Sequence, residues 1–392
     1  MYRTRHIEAS VKHHLDRGKS ILLLGPRQTG KSTLIERFPA DLKLSFATPS
    51  VRLRYERDPE LLVNEIVTLK KKIGRKKPLI IIDEVQKVPD LFDVLQGLID
   101  SSSAIFILSG SSARKIRRQH QINMLPGRVV SLRLDPLTIG EWQEGSLEER
   151  LIFGSLPGIA FVESGQDKED DLRSYVETYL EEEIRAEAVV RNLGVFSRFL
   201  ELAGLESGRI VSFRAISQDL GVAHTTVTSY FEVLEDCLIA ERIEPVTYSA
   251  TRKKLTKSCR YLFFDLGVRR VSAKEGQELG EKRLGELFEQ FVGLELLRNL
   301  RLERIRSSLH FWRDSDGPEV DWIVKIGQKM IPIEVKWSKS PKESDVKHLN
   351  TFIDEYKASE GFVVCRCSQA YQISDRITAI PWNDLHSIIS QH

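Results

Sequence analysis

The stretch SILLLGPRQTGKSTLIERF, residues 20–38, leaves the surrounding chain few ways to fold. Its apolar opening reads as a short strand, its middle as a glycine-bounded loop, and its end as an amphipathic helix starting near Lys31. Strand, loop and helix in that order form a P-loop, which implies an α/β sheet. Gly25 and Gly30 let successive backbone N–H groups turn inward, and the helix N-terminus adds the positive end of its dipole, so the loop suits phosphate. Gly25, Pro26, Arg27, Gln28, Thr29, Gly30, Lys31, Ser32 and Thr33 are the expected nucleotide cradle. Within it Lys31 is expected to reach the β- and γ-phosphates of ATP, and the Ser32 hydroxyl to ligate Mg2+.

Such a loop needs a partner that holds the metal and prepares water. PLIIIDEVQ, residues 78–86, supplies one: an apolar strand running into Asp83 and Glu84. Asp83 is expected to bind Mg2+, and Glu84 to polarise the attacking water, because a carboxylate there accepts the developing proton. LKLSFAT (residues 42–48) reads as a strand between the two motifs and AIFILSGSS (residues 104–112) as one after them, pointing to the additional-strand class of P-loop sheets. Ser109 and Ser111 close the later strand, where a hydroxyl either orients water, the catalytic role assigned to Ser111, or caps a turn. Arg128 follows a glycine at the start of a fifth strand. From there a guanidinium would stabilise phosphate charge in a neighbouring subunit of a homo-oligomer.

The succession of that loop, LIIIDEVQ, ILSGSSAR and LPGRVVSLRLDPLTIGEW resembles a widespread prokaryotic family of AAA+-type ATPases, and the similarity covers most of the chain. Members carry a C-terminal region catalogued only as a domain of unknown function. The resemblance implies ATP binding and hydrolysis, and by AAA+ logic an arginine-finger role for Arg128. The expected domains are an ATPase core at residues 1–145, a helical lid at 146–194, a winged helix-turn-helix at 195–255 and an α/β domain at 256–392.

The lid rests on LRSYVETYLEEEIRAEAVV, where Leu172, Tyr175, Val176, Tyr179, Leu180 and Ile184 recur at helical spacing. Arg173 and Arg185 there are either γ-phosphate sensors or surface charges. Gly154, Pro157 and Gly158 predict a turn before it. From Gly208 the pattern is helix, turn at Gly221, helix, then a strand pair. His224, Thr225, Thr226 and Thr228 open the second helix, placed to meet DNA phosphates or base edges, or to dock a protein.

PEVDWIVKIGQKMIPIEVKW, from Pro318, puts Asp321 and Glu334 on adjacent strands, with Lys336 on the face of Glu334. This resembles the PD-(D/E)XK restriction-endonuclease-like fold, which implies carboxylates that hold magnesium and a lysine that positions water or stabilises charge; an acidic residue from the preceding helix completes the set, here Glu289. The sequence departs from the family at PEVD, where Pro and Asp are not adjacent.

Charge separates the possibilities only weakly. Lys and Arg total 58 against 56 Asp and Glu, a formal charge of +2, so any polyanion must be met by local clusters such as KKKIGRKK from Lys70, ARKIRRQH from Ala113 or RKKLTK from Arg252. No apolar run suits a membrane helix, no export signal opens the chain, and the four cysteines lack paired zinc spacing, so a cytoplasmic protein is expected. Cys365 and Cys367 read as buried strand cysteines. The leading expectation is an oligomeric ATPase acting on or regulated by DNA; the alternatives are a signalling ATPase gating a protein partner and an ATP-regulated metal-dependent nuclease.

Overall fold

The computed structural model describes residues 2–74, 77–111, 127–180, 192–249, 255–303, 306–314 and 317–390. Ser112, Ile184, Arg185 and the run from Ala113 lie outside these residues, as do Arg75 and Lys76 and the first residues of the run from Arg252; nothing is said of the Tyr179 and Leu180 side chains. The chain divides into two compact units, Met1–Pro136 with Asp236–Ile239, and Leu137–Glu235 with Ala240–His392. Among the described residues no helix is long and apolar enough to cross a membrane.

In the first unit five parallel strands lie in the order β2-β3-β4-β1-β5: β1 Ser20–Leu24, β2 Leu42–Ser45, β3 Leu79–Asp83, β4 Ile105–Gly110 and β5 Val129–Arg133. Ile21, Leu22 and Leu23 are buried on both faces of the sheet, which explains why their run does not alternate with polar residues. The helices Leu61–Ile73 and Leu91–Asp100 pack Leu62, Ile66, Leu91 and Leu95 over one core with Phe106 and Leu108. The strand separating β1 from β3 in space is β4, not the β2 that separates the two motifs in sequence. Their order along the chain therefore misleads about the sheet.

The second unit opens with a helix, Leu147–Phe153, started by a capping box of Ser146 and Glu149. Gly154 ends it at φ 74, and a Cβ there would meet the Asp265 carboxylate at 2.0 Å. Pro157–Ala160, read from sequence as part of a turn, is a helical turn with proline in its first turn. Gly165–Ser174 and a π-helical segment, Tyr175–Leu180, follow, and bury Leu172, Tyr175 and Val176. Next come Leu193–Leu205, then Phe213–Leu220 with Ser212 as its cap, a left-handed Gly221, and His224–Asp236. Strands β6 (Ala240–Ile243) and β7 (Arg260–Phe263) pair antiparallel behind them. Phe199, Tyr230, Phe231 and Tyr261 form the core of this part, with Phe231 stacked on Tyr261 at 4.3 Å.

The terminal sheet runs β12-β13-β11-β10-β9-β8, with β8 Ser307–Arg313, β9 Glu319–Ile326, β10 Lys329–Val335, β11 Gly361–Cys365, β12 Tyr371–Ser374 and β13 Ile377–Pro381. The long helix Glu281–Leu302 packs Leu287, Phe291 and Leu294 with Trp322 and Val324, whereas Lys347–Tyr356 packs Leu349, Phe352 and Ile353 with Ile323 and Val363. Cys365 ends β11 buried. Cys367 lies two residues past the strand end and is half-buried, so the expectation of two buried strand cysteines holds only for the first.

Buried charge stitches this unit together. Asp265, fully buried, accepts hydrogen bonds from Ser155 N at 2.7 Å, Gly267 N at 2.9 Å and Val268 N at 3.2 Å, capping the helix Leu266–Ser272. Arg298 donates to Glu295 at 2.9 Å, to the Leu137 and Phe264 carbonyls, and to the Ser155 hydroxyl. Such groups are stable inside only while each polar atom keeps its partner. Asp265→Ala, which strands three buried N–H groups, should lower the stability of the second unit by about 3 kcal/mol, read as a lower urea midpoint at unchanged slope.

Candidate active site

The phosphate loop is shaped by a close approach and a backbone twist. A Cβ on Gly25 would meet the Leu134 carbonyl at 2.3 Å, so only glycine lets the loop leave β1 beside the end of β5. Gly30 adopts φ 92 and hands over to the helix Lys31–Glu36. The buried Lys31 ammonium donates to the Gly25 and Pro26 carbonyls, both at 2.8 Å, while the Thr29 hydroxyl donates to Pro26 O at 2.9 Å. Lys31 is thus held against the loop it serves. Pro26 is buried, Arg27 and Gly30 half-buried, and Gln28, Ser32 and Thr33 exposed.

Asp83 is the meeting point. Ser32 Oγ donates to its Oδ2 at 2.8 Å, and Ser109 Oγ donates to its Oδ1. Ser109 Oγ in turn accepts the Glu84 N–H at 3.3 Å. Glu84 stands at φ 57, a left-handed conformation costly for a residue with a side chain. Gln86 holds its carboxylate, donating to Glu84 Oε2 at 2.7 Å and to Ser111 Oγ at 3.1 Å. Lys31, Ser32, Asp83, Glu84, Ser109 and Ser111 therefore share one end of the sheet. The oxygens of Ser32 and Asp83 are hard donors side by side, the set Mg2+ takes when it keeps most of its ligands as water.

Two participants escape a reading of motifs. Gln86 stands inside the quoted motif but carries no reactive group. Arg5 gives no local signal at all: its guanidinium donates to Thr29 O at 2.8 Å and Asp135 O at 2.7 Å, tying the loop to the segment after β5. Arg128 is placed elsewhere. Val129 pairs with Ser20, so Arg128 sits at the end of the strands opposite the loop, where Asp100 accepts two of its N–H groups at 2.6 and 2.9 Å.

The terminal sheet brings together the second set of expected residues. Asp321, on β9, accepts from Val335 N at 2.8 Å; Lys336 Nζ donates to Glu334 Oε1 at 2.7 Å. Glu289, on the long helix, accepts from Arg260 at 2.7 Å. Glu334 and Asp321 are buried, and among the described residues Glu334 Oε2 has no hydrogen-bond partner. Burial, then the Asp321 charge, pushes Glu334 and Glu289 up to about 8; burial raises Asp321 as well. Burial works against the Lys336 ammonium, but Glu334 beside it outweighs that and raises it. Among the described residues no three His, Cys, Asp or Glu side chains are already arranged to hold a metal ion.

On the helix His224–Asp236, His224 and Thr225 are exposed and Thr226 and Thr228 half-buried. His224 packs edge-on against Phe213, and the Thr228 hydroxyl is spent on the His224 carbonyl at 3.2 Å.

Residues 17–143 match a family model described as an AAA domain. Residues 144–278 and 284–385 match two families each described as a domain of unknown function, DUF8612 and DUF4143. The first match, with the parallel five-stranded sheet, supports an AAA-type ATPase with a P-loop. Uncharacterised proteins of Mycobacterium bovis and Mycobacterium tuberculosis are each 25% identical over 384 residues, 96% of this chain and 83% of theirs. One from Methanocaldococcus jannaschii is 23% identical, covering 94% of this chain and 84% of its own. Among solved structures, the Bacillus subtilis DNA clamp loader delta protein is 11% identical at a TM-score of 0.26, covering 58% of this chain and 87% of its own. A Vibrio cholerae protein is 12% identical at 0.21, covering 95% and 97%. Scores so low do not define the fold of this chain.

The raised carboxyls make stability depend on pH. Their folded-state values exceed the ordinary 4.5, so the native state binds protons the unfolded chain has released. That stability is complete below about 4.5 and is lost as pH climbs through about 8. The urea midpoint should fall between pH 6 and pH 9, and Glu334→Gln, which imitates the protonated acid, should flatten the decline.

Proposed function

We propose that the chain hydrolyses ATP as a homo-oligomer and that the nucleotide cycle drives or reports contact with DNA. The observation that supports hydrolysis is the chain of hydrogen bonds from Ser32 through Asp83 and Ser109 to the Glu84 backbone, which joins two hard oxygen donors and a second acidic residue beside one phosphate loop. In this reading Gly25 to Thr33 cradle the phosphates and Lys31 neutralises the β- and γ-oxygens. Ser32 and Asp83 hold Mg2+, which when bound withdraws charge from the phosphates. Glu84 takes the proton of the attacking water, with its backbone fixed by Ser109 and its carboxylate by Gln86. Ser111 reaches the site through Gln86. Arg128 serves a neighbouring subunit.

DNA contact is supported by the winged helix-turn-helix reading of residues 195–255, carried by the helices Phe213–Leu220 and His224–Asp236, and by Asp321 on β9, Glu334 on β10 and Lys336 just past the end of β10, read as PD-(D/E)XK-like. A specific observation favours the second reading, a protein partner. The helix His224–Asp236 carries Glu232, Glu235 and Asp236 and no Lys or Arg, whereas DNA affinity rests on phosphate neutralisation.

Lys31→Ala should abolish the rise in melting temperature that ATP and magnesium give the parent chain. Glu84→Gln should keep that rise and lose about 10²–10⁴ in turnover, the share a general base supplies. With duplex, forked and single-stranded DNA, the ATPase rate should rise and binding should weaken with salt. A rate indifferent to all three, with no salt-sensitive binding, overturns the DNA arm; a protein captured only by the ATP-loaded Glu84→Gln form replaces it.

A further inference from the structure

The terminal carboxylates have a resident that the nuclease-like pattern does not include. Arg260 lies on β7, the strand that follows the helix-turn-helix segment, and its side chain is only 5% exposed. Its Nη1 donates to Glu289 Oε1 at 2.7 Å and approaches the Asp321 carbonyl at 3.4 Å. The guanidinium lies 4.4 Å from the Phe311 ring centre and 5.6 Å from that of Trp322, which hold it in place.

A structural ion pair alone does not account for the remaining atoms. Among the described residues Arg260 Nε is buried with no partner, and Glu334 Oε2 is buried with none. A buried donor and a buried acceptor, each left unsatisfied, cost more than a settled salt bridge returns. The Glu334 carboxyl is buried beside Lys336, and the charges of Asp321 and Glu289 also act on it. The acidic groups Glu289, Asp321 and Glu334, with Glu319 acting on the first two, face two cations, Arg260 and Lys336. A positive charge this close opposes the entry of another, so a divalent metal and the inserted guanidinium compete.

We propose that Arg260 is a built-in counter-cation: β7 inserts a guanidinium against the acidic cluster, and the cluster takes up a divalent metal only when Arg260 withdraws from Glu289. This rests on the reading of Glu289, Asp321 and Glu334 as metal-capable. Because the Arg260 backbone pairs with Ile243 and bridges to Ile210, the position of β7 sets how far the guanidinium reaches into the cluster.

The test uses the full chain without nucleotide, carrying Asp83→Asn so that the phosphate-loop site contributes no metal, titrated with Mn2+ and read by electron paramagnetic resonance. Arg260→Met should tighten Mn2+ binding at least about 10-fold, the effect of one fixed charge at this range. Adding Glu334→Gln should remove the gain. A parent that already binds Mn2+ through Glu334, with no gain in Arg260→Met, overturns the counter-cation and leaves the metal reading standing. No Glu334-dependent binding in any variant, with melting unchanged, overturns both. If Arg260→Met does not fold, the neutral Arg260→Gln is read in its place; failure of both to fold makes Arg260 a structural residue and overturns the proposal.

Discussion

One carboxylate organises the first unit. Asp83 accepts a hydroxyl from Ser32, at the start of the loop helix, and another from Ser109, on β4. That is possible only because β1, β3 and β4 end at the same level, with Leu23 beside Ser109 and Ile82 beside Leu108. A slip of one residue would turn each side chain to the opposite face and disperse the site. The buried apolar runs of the strands, dull in themselves, are therefore what gives the polar residues at their ends a common address.

The second unit reaches cohesion by another route. Its middle and terminal segments are joined through groups that a core normally excludes: Asp265, Glu295, Arg298, Arg269 and Arg270 are all buried. Arg270 donates to the Ile152 carbonyl at 2.8 Å and to Glu169, and Glu295 accepts from Ile139 N at 3.0 Å. Apolar replacements often match such pairs in stability, but they specify position less sharply. Segments far apart in the chain are thus tied to one another by buried polar groups as well as by apolar packing.

Much of this was legible in advance, and the reason is local chemistry. The phosphate loop and the strand ending in Asp83 and Glu84 declare themselves because glycine, lysine and paired carboxylates must stand at fixed offsets along a few residues. Asp321 and Glu334 follow from strand periodicity in the same way, whereas Lys336, expected on the same strand, stands one residue past the end of β10. What escaped reading depends on distance along the chain. Arg5 meets Thr29 and Asp135 only after the sheet has formed, and Arg260 meets Glu289 only once β7 lies against the long helix. Arg128 shows the limit from the other side: its place at the head of a strand was legible, but the end of the sheet that it occupies was set by pairing with Ser20.

Glu84 stands where its backbone would rather be glycine or asparagine. Selection for heat resistance alone would replace it, since relieving a left-handed glutamate commonly gains a little stability. With Glu84 as the base proposed above, a thermostable descendant altered at this position would be a better-folded protein that holds ATP without consuming it. The left-handed backbone marks the position before any substrate is offered.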